Sequence, residues 1–132
     1  MRAAFSVLVG VASILATAAA AAHHAFAAEF DINRPVKLTG TVTKIEWTNP
    51  HAWVFMDAKD AQGNVQSWAV ELVGINDLLR LGWGRDRVKT GDVVDVDGFG
   101  ARNGTNTANA VSVRLANGEL VWASQRPPGE TK

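Results

Sequence analysis

The sequence predicts an all-β fold, a small OB-like barrel of five to six strands with one short helix between strands 3 and 4. Three observations carry this expectation. Strand-like runs rich in Val, Thr, Ile and Trp recur between turn signals, and the apolar spacing turns helical once, at Ile75, Leu78 and Leu79. The third is Asn117-Gly118, the strongest hairpin signal in the chain. Three strands, a helix, two strands and a hairpin arm is the order of such a barrel. A different small barrel or sandwich, with the helix reduced to a loop, is the competing architecture.

The chain has 132 residues, room for one domain. Met1-Arg2 and the apolar, alanine-rich run from Ala3 to Ala22 read as a signal peptide over residues 1–22, with an uncleaved membrane anchor as the alternative. Cleavage after Ala20, Ala21 or Ala22 leaves His23 and His24 at or near the new terminus, whereas Ala25-Phe26-Ala27 offers a later site that discards both. The expected organisation continues with an N-terminal arm over 23–35, a barrel domain over 36–123 and a tail over 124–132. The export signal places the protein in the periplasm or outside the cell, with no stable membrane insertion once it is removed.

Val36 to Trp47 reads as a long first strand whose apolar phase changes partway. Leu38, Gly40 and Val42 share one parity and Ile45 and Trp47 the other, so a bulge near Thr43-Lys44 is required to keep both sets inside. Asn49-Pro50 then reverses the chain, because proline bars the preceding residue from the helical region. Ala52 to Lys59 is the second strand. Asp60 to Asn64 turns into the third, Val65 to Leu72, where Trp68, Val70 and Leu72 alternate with Ser67, Ala69 and Glu71. The helix follows over Val73 to Gly82 with Gly82 as its stop and Trp83 as a plug behind it. Lys89-Thr90-Gly91-Asp92 turns into the fourth strand, Val93 to Phe99, with Val94 and Val96 inward and Asp95 and Asp97 outward. The fifth runs from Ala108 to Leu115, with Val111, Val113 and Leu115 aligned, and Asn117-Gly118 returns the chain as Glu119 to Trp122 through a turn with positive φ at both positions.

Composition excludes several classes. Without Arg2 the 13 Lys and Arg residues become 12, against 13 Asp and Glu, with no run of one sign. Phosphate-backbone binding calls for clustered cations, so the expectation is no nucleic acid. No cysteine is present, which removes disulfides and thiolate ligands.

The strings His23-His24-Ala25-Phe26-Ala27-Ala28-Glu29-Phe30-Asp31, Gly40-Thr41-Val42, Glu46-Trp47-Thr48-Asn49-Pro50-His51-Ala52, Leu78-Leu79-Arg80 with Gly82-Trp83, and Lys89-Thr90-Gly91-Asp92 resemble an exported bacterial family, domain of unknown function 6152. The resemblance runs from His23 to about Trp122. It implies a signal peptide ending before the double histidine, and no reaction or ligand. Relatives often start the helix with Ser-Pro, where this chain has Val73-Gly74-Ile75-Asn76.

Two candidate sites emerge. One is a ligand site at Trp47, Asn49, His51 and Trp53, with Trp68 nearby, for a small ligand or an envelope protein. Trp53 and Phe55 share the face opposite Val54 and Met56, so one pair points away from the core and can stack on a ligand. The other is a copper or zinc site at His23, His24 and His51, since a free amine, backbone amides and imidazole suit Cu(II). Tryptophans filling the core and histidines hydrogen-bonding a turn are the plainer alternatives. No Gly-x-Ser-x-Gly, His-Glu-x-x-His or phosphate-binding glycine loop is present, so no catalytic residue is assigned. Glu46 or Glu71 with His51 would be the acid-base pair of an alternative hydrolase. The expected role is a binding or structural module with no certain cofactor.

Overall fold

The computed structural model describes residues 26–124. A helical turn over 26–29 leads into β1 (Phe30–Glu46), followed by β2 (Trp53–Lys59), β3 (Val65–Glu71), α1 (Ile75–Arg80), β4 (Val93–Ala101), β5 (Thr107–Leu115) and β6 (Leu120–Ala123). The strands hydrogen-bond in the order β3-β2-β1-β4-β5-β6, and a parallel pairing of β3 with β5 joins the two ends of the five-stranded part. The result is an all-β, OB-like barrel. No helix among the described residues is long and apolar enough to cross a membrane.

Length explains how β1 serves both halves. Its 17 residues pair antiparallel with β4 through Thr41 and with β2 from Gly40 onward. The register shifts between Val42 and Lys44, at the expected bulge, and the apolar phase changes with it. Leu38 and Val42 are buried, and beyond the bulge Ile45 and Trp47 pack against the same core. The bulge is tied down by the turn before β4: the Val42 N–H donates to the Asp92 carbonyl, and the Gly91 N–H donates to the Val42 carbonyl.

Val54, Met56 and Ala58 of β2, Val70 of β3, Val94 and Val96 of β4 and Val113 of β5 fill the interior. α1 closes one end. Gly82, at φ 91°, ends it in a Schellman arrangement, with Gly82 N–H donating to Leu79 O and Trp83 N–H to Leu78 O. This turn drives the Trp83 indole into the barrel, where 1% of the residue remains exposed.

Four details differ from the sequence expectation. The arm expected over 23–35 is β1 from Phe30 onward, because Phe30 is buried and pairs with Ala101 while the Arg34 guanidinium donates to the Ala101 carbonyl. Leu79 faces solvent, since six helical residues offer only one buried position, Leu78. On β5 the buried residues are Ala108, Ala110 and Val113. Gly98 pairs with Ala110 and Asp97 with Ser112, which leaves Val111 as the extra residue of a bulge. At Asn117-Gly118 only the glycine has positive φ. Gly118 N–H donates to Leu115 O, Leu115 N–H to Glu119 O and Glu119 N–H to the Asn117 side chain, a three-residue loop with a glycine bulge.

Candidate functional site

The β1–β2 corner is built by its neighbours. Asn49 Oδ1 accepts the Ile75 N–H at 3.0 Å, so a residue 26 positions upstream caps the helix that its own N-cap, Gly74, cannot cap with a side chain. A β-carbon on Gly74 would lie 2.7 Å from the Pro50 carbonyl oxygen and 3.0 Å from Asn49 Oδ1. Glycine at 74 thus leaves the room in which Asn49 caps the helix. The Asn49–Pro50 peptide is cis, and Thr48 Oγ1 donates to the His51 carbonyl. Reciprocal bonds between Ala52 and the chain at Leu72 and Val73 extend the β2–β3 ladder into the corner.

Held this way, His51 projects toward β3. Its Nδ1 lies 2.8 Å from Glu71 Oε1, and the glutamate side chain is 8% exposed against 52% for the imidazole. Glu71 takes the outward parity of β3, opposite Trp53 in the ladder, where alternation predicts exposure. It is buried nonetheless. Burial pushes its carboxyl above the usual range; the His51 charge opposes the rise and the Glu29 charge adds to it. Among the described residues His51 is its only polar partner.

The residues around this pair form two adjoining hollows on the outer face of β2 and β3. The larger, about 620 Å³, lies between Trp53 and Glu71 on one side and Arg102, Asn103, Thr105 and Thr107 of the β4–β5 loop region on the other. The smaller, about 390 Å³, is lined by Phe26, Phe30 and Trp53 together with Glu29, His51 and Glu71. Phe26 stacks on Phe30 at 5.6 Å and meets Phe99 edge-on at 6.3 Å. Arg102 fastens the N-terminal turn: its backbone N–H donates to Glu29 O, its Nε to Ala27 O, and its Nη1 stands 4.0 Å from Asp31.

Of the residues singled out in the sequence, His51 and Trp53 line the smaller hollow and Trp53 the larger as well. Trp53 stacks beside Phe55 at 6.5 Å on the outer face, and Lys44 Nζ lies 5.2 Å from the Phe55 ring centre. Trp47 and Trp68 pack against the core, and Asn49 is the helix cap. Glu46 pairs with Lys44 at 2.6 Å, away from His51. His23 and His24 lie outside the described residues, and among those described no three His, Asp or Glu side chains are grouped to hold a metal ion. Sequence reasoning passed over Glu29, Phe30 and Arg102. Glu29-Phe30 stands inside the double-histidine motif, the one cue available.

Glu71 yields a pH prediction. Its folded-state pKa is raised, so the folded protein holds a proton that the unfolded chain has released, and stability falls as pH rises through the interval between the two values. Glu71→Gln removes the buried charge. In thermal melts from about pH 4 to about pH 8 the variant should gain on the wild type as pH rises. A gap independent of pH, or one of opposite sign, would show that the His51 contact outweighs burial.

Comparison with known proteins places the chain. The model of the family described as "Family of unknown function (DUF6152)" matches residues 11–110, starting upstream of His23 and ending within β5. No curated protein matches. Among solved structures the chain is similar to the mitochondrial single-stranded DNA binding protein Rim1 of S. cerevisiae. One crystal structure aligns at 12% identity and TM-score 0.48, covering 62% of this chain and 93% of Rim1. A selenomethionine form aligns at 11% and 0.42, covering 61% and 91%. What is shared at this identity is the fold. The expectation of no nucleic acid is withdrawn: these neighbours are single-stranded DNA binding proteins by their titles, and their likeness extends to the fold alone. Near-neutral charge does not by itself exclude the class, because single strands are held partly by stacking on aromatic faces, a contact that depends little on net charge.

Proposed function

We propose that this chain, which belongs to the family of unknown function DUF6152, is an exported binding module that takes a ligand in the cleft between the N-terminal turn, Trp53 and Glu71 and the β4–β5 loop. One observation carries the proposal. The cleft of about 620 Å³ opens beside the β4–β5 loop on the face of β2 and β3, the strands on which barrels of this class take their ligands, and Trp53 and Glu71 both line it. The apolar run from Ala3 to Ala22 supports export to the periplasm. Binding without catalysis is favoured because, among the described residues, neither the His51 nor the Glu71 side chain hydrogen-bonds a hydroxyl that it could activate.

The test is ligand retention. The protein purified from the cell envelope, wild type and Trp53→Ala, is incubated with a small-molecule extract of that envelope, and retained species are read by native mass spectrometry. Trp53 is only partly buried, so the variant should keep its fold while binding about 10- to 100-fold more weakly, the loss expected for one stacking aromatic. Equal retention by a folded Trp53→Ala protein, or no retained species in either, would overturn the assignment.

A further inference from the structure

We infer that the smaller hollow selects an organic cation, an ammonium group seated against Phe26, Phe30 and Trp53 and facing the carboxylates of Glu29 and Glu71. The inference rests on the proposed binding site, whose cleft shares Glu29, Phe30, Trp53 and Glu71 with this adjoining hollow, and goes on to name the ligand's charge. Phe26, Phe30 and Trp53 line a space of about 390 Å³ together with Glu29, Glu71, His51 and Asn109, and no lysine or arginine does. Aromatic faces carry negative quadrupole charge and attract ammonium groups, most strongly where water is excluded. Around a carboxylate pair they leave a pocket that repels anions and gives a neutral ligand no charge to answer.

The neighbouring cation does not neutralise it. Arg102 is committed to the N-terminal turn, through Ala27 O and toward Asp31, and lines only the larger hollow. His51 reaches one oxygen of Glu71, and Glu71 has no other polar partner among the described residues. A buried carboxylate with a single exposed imidazole for company is under-compensated, and an arriving cation supplies the missing charge. A bound ammonium would favour the charged carboxylate and so oppose the effect of burial on Glu71. The absence of a three-ligand cluster among the described residues, with aromatic walls in its place, fits a molecular cation better than a metal ion.

The probes are choline and its uncharged carbon analogue 3,3-dimethylbutan-1-ol, with cadaverine as a primary diamine. The readout is the Trp53 indole N–H resonance, assigned with Trp53→Phe. Choline or cadaverine should shift it saturably, and the neutral alcohol should bind at least about 10-fold more weakly, a difference of ~1.4 kcal/mol. Glu71→Gln and Glu29→Gln, each verified as folded by circular dichroism, should each weaken the ammonium by a similar factor. Equal binding of alcohol and choline, or choline binding untouched by both carboxamides, would overturn the inference. So would silence toward every ammonium. If a neutral or anionic extract component still shifts Trp53 in that case, the binding module stands and only its charge selectivity falls; if nothing does, both fall.

Discussion

Trp83→Ala is expected to lower the stability of the folded chain by about 4 kcal/mol, a drop of roughly 20 °C in melting temperature for a domain of this size. The indole is 1% exposed and belongs to one cluster with Leu78, Val88 and the inward valines of all six strands. Truncation removes a large apolar surface from that cluster and leaves a void that a closed barrel cannot collapse into, since its strands are fixed by ladders on both sides. Against a total stability of order 5–15 kcal/mol, the loss brings the protein near its unfolding midpoint. Urea titration followed by far-ultraviolet circular dichroism measures it, with Trp53→Ala as the partly buried control. A loss below about 1.5 kcal/mol would mean that α1 and Trp83 only cover the barrel and do not close it.

How much of this was legible in the sequence depended on the range over which the signal acts. The Val42–Lys44 bulge could be read because inward parity must be kept on both sides of it, and the helix stop could be read because Gly82 precedes a tryptophan. Those are local signals. The bulge at Val111 was not legible, because Ala108 and Ala110 are too weakly apolar to reveal a change of phase beside three aligned aliphatic residues. The arm was misjudged for a related reason: Asn33-Arg34-Pro35 interrupts the alternation, yet Pro35 is tolerated and Phe30 is buried by pairing with β4, about 70 residues away in sequence.

The candidate site divides in the same way. His51 and Trp53 stood out because a turn and a strand parity mark them, but what gives the site its chemistry arrives from afar. Glu71 has the pattern of a solvated strand residue and is buried by the segment at 26–30 and the corner at 51. Asn49 shows the reverse case. It has the composition of a binding residue and is spent as a cap for α1, in a pairing with Gly74 that no short-range pattern encodes.

Gly40→Ala is the second substitution expected to have a large effect, a loss on the order of 3 kcal/mol, at the upper end for a single added methyl. Gly40 sits where β1 passes from one half of the barrel to the other, opposite Ala58 of β2 and Val94 of β4. A β-carbon there would lie 2.2 Å from the Asp57 carbonyl oxygen and 2.8 Å from its carbon. Those are backbone atoms of β2, held in register by the Thr41–Asp57 pairing, so relief means separating the strands. Of the three nearest atoms only Met56 Cε, at 2.9 Å, belongs to a flexible side chain. Gly84→Ala is the matched control: its β-carbon would meet nothing within 4 Å, and stability should change by less than about 0.5 kcal/mol. Urea unfolding of both variants measures the difference. If Gly40→Ala is as stable as Gly84→Ala, then β1 does not run close against β2 while paired to β4, and the closed barrel that sets Trp53 opposite the β4–β5 loop does not form as described.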